Sequence, residues 1–333
     1  MLKGTDAMRR GDTHTRPDPK RMLISRRAAV VSALAAPFVG KSMAAETSTV
    51  RFGFQKGDPV LMTAKAGGDF AKGFEAKGVK VEWIEFQFGP PMLEAMRVGS
   101  VDLGIVGDTP PIFAQAAKGD LMYVAAARGA PQSLLLPPGS PLQTIQDLKG
   151  RKVAFGRGSS AHNFLLMVLE KAGLRYEEIQ PVLLGPADAG AAFSQGAVEA
   201  WSIWEPYASL YNNRPGVRTL TTNREIGEQF SYVMANGNFV RNNPILTGAV
   251  VQAMAGVAEQ ARAKREDVAA LLANATGISQ DVWSRALNRH PLEIMRLTEG
   301  FTASQQKVAD RFRAQGLIPV DIKVADSFWR PTA

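Results

Sequence analysis

The sequence predicts an α/β protein of two lobes, and three observations carry that prediction. The chain is 333 residues long, more than a single core of ordinary size requires. Short apolar runs alternate with amphipathic helical runs, the pattern of a largely parallel sheet covered on both faces. The apolar run Ser133-Leu134-Leu135-Leu136 then stops at Pro137-Pro138-Gly139 before a second βα series begins, as a strand leaving one lobe for another would.

In the first series the spacing predicts strands over 50–54, 79–86, 101–106 and 121–127, with helices over 60–74, 90–98 and 110–117 between them. Gly57, Pro59 and Gly78 supply the breaks, since glycine and proline interrupt regular backbone. In the second series, strands over 152–155, 182–184 and 200–204 alternate with helices over 160–172 and 187–195. Residues 230–235 read as a return strand, and from Pro244 onward the chain is mainly amphipathic helix, over 246–263, 265–275, 279–287 and 303–315. The expected lobes are 46–132 with 232–333, and 133–231.

The formal net charge is +8, but it is not evenly spread. The first 45 residues hold nine of the 39 basic and three of the 31 acidic side chains, which leaves 30 and 28 for the rest. A body that close to neutrality has no field to steer it onto a polyanion, so nucleic acid is not an expected partner. The basic excess belongs to a leader over 1–44. Lys20, Arg21, Arg26 and Arg27 precede an apolar run over 28–40, and Ser42-Met43-Ala44-Ala45 offers small residues for cleavage near Ala44, the order of a secretory signal. The apolar run is too short for a permanent membrane span. Arg26-Arg27 leaves ordinary and twin-arginine export both open, and Met1 and Met22 are both candidate starts. The chain has no cysteine, which excludes disulfides, thiolate metal sites and cysteine nucleophiles. Beyond the leader only His162 and His290 remain, so a three-histidine metal site is excluded too.

Three β-to-α junctions share one chemistry: Gly89-Pro90-Pro91, Gly107-Asp108-Thr109-Pro110-Pro111 and Gly156-Arg157-Gly158-Ser159-Ser160. Glycine permits close approach of a ligand, Ser or Thr caps the helix, and proline is tolerated in its first turn. A helix start presents unpaired N–H donors and partial positive charge, and ligands of open α/β sheets lie at the carboxyl ends of the strands. Each junction alone is an ordinary capped helix; three together point to a small anion.

These junctions, with Phe54-Gln55-Lys56-Gly57, Met92-Leu93-Glu94-Ala95, Val98-Gly99-Ser100-Val101-Asp102-Leu103-Gly104, Gly158-Ser159-Ser160-Ala161-His162-Asn163 and Trp201-Ser202-Ile203-Trp204-Glu205-Pro206-Tyr207, resemble the periplasmic aliphatic sulfonate-binding proteins. That group lies within the larger nitrate, sulfonate and taurine receptor family. The resemblance implies a type II periplasmic binding protein fold, two lobes around a hinge cleft. It further implies capture of an alkanesulfonate by lobe closure and delivery to an ABC permease in the inner membrane, by a monomer without cofactor or metal. A receptor for taurine, nitrate or a pyrimidine is the alternative. Catalysts on similar scaffolds depend on cysteine, which is absent here, and Ser160 and His162 are two apart and do not face one another on a helix. No enzymatic role is expected. The sequence departs from the family pattern at two places: Gln87-Phe88 replaces a small pair, and Asp58 replaces a small or hydroxyl residue.

A sulfonate has three acceptor oxygens and no donor, so its partners must donate. The expected donors are the amides of Gln55 and Asn163, the hydroxyls of Thr109, Ser159 and Ser160, the ring N–H of His162, and the backbone at Gly89-Pro90 and the other two junctions. Ser160 also reads as a helix cap, His162 as a packed ring and Arg157 as a solvated charge. Asp108 and Glu205 would repel a sulfonate and are expected to orient donors or meet a positive group on the ligand's tail. Trp201 and Trp204 read either as core or as a wall against the alkyl chain, with Trp204 the stronger candidate.

Overall fold

The computed structural model describes residues 48–330, so the expected leader lies outside the described residues. Eleven strands are formed in chain order: β1 (Ser48–Gln55), β2 (Val79–Phe86), β3 (Leu103–Gly107), β4 (Leu121–Arg128), β5 (Gln132–Leu136), β6 (Lys152–Phe155), β7 (Gln180–Leu183), β8 (Ala200–Trp204), β9 (Arg218–Thr222), β10 (Phe230–Asn236) and β11 (Ile294–Met295). They make a six-stranded sheet in the order β11-β4-β10-β3-β1-β2 and a five-stranded sheet in the order β7-β6-β8-β5-β9.

Helices cover both faces of each sheet. On one face of the larger sheet, Phe52, Phe54, Leu103 and Val233 pack with Leu61, Met254 and Trp283. On the other, Val106, Tyr123, Tyr232 and Met234 pack with Met92, Ile112 and Phe312. Alternation along the strands produces this division, because successive side chains point to opposite faces. In the smaller sheet, Leu134, Leu136, Val153 and Phe155 pack against Phe164, Leu165 and Val168 of the helix Ser160–Ala172. Leu135, Ala154 and Trp201 pack on the opposite side with Phe193.

The sheets are mixed, with less parallel pairing than the expected mostly parallel arrangement. β1 is parallel to β2 and β3, and β6 to β7 and β8, because helical crossovers return the chain in the same direction. β5 and β10 pair antiparallel with their neighbours. These are the strands that follow passage from one sheet to the other. Only 129–131 separate β4 from β5, and 223–229 separate β9 from β10.

Most expected elements appear within a few residues of their predicted bounds. The helix expected over 60–74 is two helices, Pro59–Gly67 and Asp69–Glu75, because Gly68 adopts a left-handed conformation at φ 77°. The helix Tyr207–Asn212 and the strands β9 and β11 were not among the expected elements: β9, Arg218-Thr219-Leu220-Thr221-Thr222, is mostly polar, and β11 is two residues long. Among the described residues no helix is long and apolar enough to cross a membrane.

Candidate functional site

The carboxyl ends of β1 and β3 and the starts of several helices enclose a cavity of about 70 Å³. Gln55 ends β1 and Gly57 and Asp58 follow it, Gly89 opens the helix Gly89–Arg97, and Gly107 ends β3; Ser159 and Ser160 start the helix Ser160–Ala172 packed on the smaller sheet, and Trp204 ends β8. The two sides meet closely at Gly107, where an added Cβ would lie 2.6 Å from Ser160 Cβ and 2.9 Å from its Oγ.

The two serines are not equivalent. Ser159 Oγ donates to the Gly156 carbonyl at 2.7 Å, which commits its proton within the loop. Ser160 Oγ instead accepts from Gln132 Nε2 at 3.1 Å, so its own proton remains available to the cavity it lines. The helix Ser160–Ala172 has no side-chain cap at Ser159, and the first N–H groups of a helix have no intrahelical acceptor. Hydroxyl and backbone donors therefore coincide at Ser160. The other two starts contribute less, because Pro90-Pro91 and Pro110-Pro111 carry no N–H. Gln55 lines the cavity, with one amide proton on the Ile105 carbonyl at 2.9 Å and the second available.

Replacing Ser160 by Ala is expected to weaken anion binding by about 1–3 kcal/mol, the range for a hydrogen bond to a charged partner. Because the hydroxyl caps nothing, the unfolding midpoint should stay within a degree or two. Calorimetric titration and thermal unfolding of the same preparation check both halves; unchanged affinity with a lowered midpoint would make Ser160 structural.

Several expected residues stand behind the cavity rather than on it. Asp108 is buried, and its carboxylate accepts from Thr109 Oγ1 at 2.8 Å, Asn163 Nδ2 at 2.6 Å and Gln229 Nε2 at 2.9 Å. Burial raises its pKa against the pull of those donors. Asn163 Oδ1 in turn accepts from Arg311 at 2.9 Å. Asp108, Thr109 and Asn163 thus tie the two sheets together, and none of the three lines the cavity. His162 lies two residues past Ser160, about 200° around the helix. Its ring packs on Phe155 and edge-on to Phe312, with centroids 4.6 and 4.9 Å away. Burial lowers its pKa to about 3, so it is neutral. Nδ1 accepts from Gly158 N–H at 3.3 Å, which places the proton on Nε2, a buried atom without a partner.

Trp201 and Trp204 are three apart on β8 and project to opposite faces. Trp201 packs in the core, 4.8 Å from the Tyr211 ring, whereas Trp204 lines the cavity. Gly57 packs closely beside it, since a Cβ there would lie 3.2 Å from Trp204 Nε1. Glu205 turns away from the cavity. It is buried, accepts from the Ser209 N–H at 2.9 Å and pairs with Arg289 at 3.0 Å. Pro90 sits beside Gly89 but does not line the cavity.

The sequence profile of the NMT1-like family matches residues 43–275, well over half of the chain. The chain belongs to the NMT1-like family. An Escherichia coli (strain K12) protein named for aliphatic sulfonate binding is 40% identical over 296 residues, 87% of this chain and 92% of the relative. The crystal structure of the periplasmic aliphatic sulphonate binding protein SsuA from Escherichia coli superposes with a TM-score of 0.77 at 39% identity, covering 86% of this chain and 93% of that one. The alkanesulfonate-binding protein SsuA from Xanthomonas axonopodis pv. citri bound to MOPS gives 0.81 at 36% identity, covering 86% of this chain and all of the other. These relatives are binding proteins rather than enzymes.

This NMT1-like chain also brings residues to its cavity that sequence reasoning did not assign. Asp58, Arg128, Ser231, His290 and Glu293 line it. His290 is held neutral by burial, its pKa lowered to about 4. Its Nδ1 accepts from Leu292 N–H at 3.1 Å, so Nε2 carries the proton and is a further donor. Arg128 pairs with Glu228 and reaches Glu293 at 3.5 Å. For His290 and Glu293 no local motif gave a signal, because the fold brings them from the far end of the chain. Asp58 was visible as a departure from the family pattern.

Proposed function

We propose that the protein is the extracytoplasmic solute receptor of an ABC importer and that its ligand is a small alkanesulfonate, bound without chemical change. The observation that carries this reading is the Ser160 hydroxyl, held as a donor by Gln132 at an uncapped helix start, facing a cavity walled by Trp204. That pairing suits a ligand with an anionic head and an apolar tail. The similarity to SsuA proteins supports the same ligand class. The lobes are 46–132 with 232–333, and 133–231. The first supplies Gln55, Gly89 and Gly107, and the second supplies Ser159, Ser160 and Trp204. Closure brings both sets onto one ligand, and the closed monomer docks on an inner-membrane permease. The protein works in the periplasm after its leader is removed near Ala44.

A calorimetric panel of methane- to pentanesulfonate, taurine, nitrate and sulfate tests this reading. Each methylene buried adds about 0.8 kcal/mol, so affinity rises roughly fourfold per carbon. Equal affinity across the series, or tighter binding of nitrate or taurine than of any alkanesulfonate, would overturn it.

A further inference from the structure

Asp58 sets a problem that the anion site does not solve. Its Oδ1 caps the helix Pro59–Gly67, accepting from Val60 N at 2.9 Å and Leu61 N at 3.3 Å. Its Oδ2 is buried and has no partner among the described residues, although the residue lines the cavity. An ionised carboxylate left unpaired there is costly, and a sulfonate in the same cavity adds repulsion.

Among the described residues no neighbouring cation is available to neutralise it. Lys56, two residues back, pairs with Glu85 at 3.3 Å on the surface, and Lys65, on the same helix, lies over the Phe54 ring. Across the cavity Arg128 pairs with Glu228 and Glu293, and His290 is neutral. Where the helix Gln280–Arg289 ends, Arg289 pairs with Glu205 and Arg265 donates to the carbonyls of Leu287 and His290. The helix Arg265–Thr276, packed along Pro59–Gly67, otherwise presents the acidic Glu266 and Asp267 at its start.

We propose that Asp58 is a ligand-binding residue that acts in its neutral form: as the cleft closes on a sulfonate, its carboxyl takes one proton from solvent and Oδ2–H donates to the anionic head. The inference rests on the sulfonate-receptor reading and adds a proton to it. Burial as seen in this structure pushes the Asp58 carboxyl up to about 7, while in a cleft opened to water it would titrate near 4, the ordinary range. Between those values the closed form binds one more proton than the open form. Affinity therefore falls as pH rises, about 50-fold from pH 5 to pH 7, and levels off above that.

The test is isothermal titration of the whole mature protein with propanesulfonate at pH 6, in two buffers of different ionisation enthalpy, and an affinity profile from pH 5 to 8. Uptake of close to one proton per ligand and the falling profile are expected. Asp58→Asn keeps an effective cap and should abolish both while still binding. Asp108 is also buried and titratable, so proton uptake that persists in Asp58→Asn would overturn the assignment. So would parent binding without proton uptake, which leaves the receptor reading intact. An aminoalkanesulfonate whose affinity rises with pH would assign Asp58 to an ammonium instead and overturn the proposal. Binding of no sulfonate at any pH would overturn the proposal and the receptor reading together.

Discussion

Replacing Gly107 by Ala is expected to weaken sulfonate binding by about 5- to 150-fold while leaving the unliganded fold nearly as stable as the parent. The added Cβ would lie 2.6 Å from Ser160 Cβ, and because that atom is fixed to the backbone, no change of rotamer relieves the contact. On the proposed closure the two sides would be held slightly apart, at the usual cost of overpacking, about 1–3 kcal/mol, which converts to that loss of affinity. With the two sides parted, as proposed for the unliganded protein, the methyl group would have room, and Gly107 has no positive φ that alanine would strain. Calorimetry and chemical denaturation separate the two effects. Parent-like affinity would mean that Gly107 and Ser160 do not approach in the bound form. Loss of stability without ligand would place the clash in the fold rather than in closure.

Trp204→Ala is expected to remove the chain-length dependence. In the parent, two further methylenes raise affinity for propanesulfonate over methanesulfonate by about 1.6 kcal/mol, roughly 15-fold. Without the indole wall that ratio should fall toward one, with methanesulfonate much less affected than propanesulfonate. Trp201→Ala is the control, because Trp201 packs against Phe193 and Tyr211. It should cost stability, about 3–5 kcal/mol for an emptied aromatic site, and leave the ratio intact. A parent-like ratio in Trp204→Ala would remove the indole from the tail's surroundings.

Local patterning made much of this legible. Alternating apolar residues located β1 through β8, and the Gly158-Ser159-Ser160 turn located the helix start now found on the cavity. What patterning could not supply was the direction of individual side chains. Thr109, Asn163 and His162 have the right chemistry for an anion, but Asp108 and an aromatic cage hold them behind the wall. Glu205 was expected to orient a donor or meet a positive group on the ligand's tail, and it instead pairs with Arg289 and caps Ser209 within the protein. His290 and Glu293 reach the cavity only because the chain returns after four further helices, a long-range event that no local period records.

The most direct measurement is a crystal structure of the mature protein with propanesulfonate, the ligand sulfur located by its anomalous signal. The account predicts the sulfur in the cavity beside the Ser160 helix start, with a sulfonate oxygen within hydrogen-bond distance of Ser160 Oγ and the propyl chain against Trp204. A sulfonate bound elsewhere, or one in this cavity with its sulfur against Trp204 and its chain toward Ser160, would contradict it.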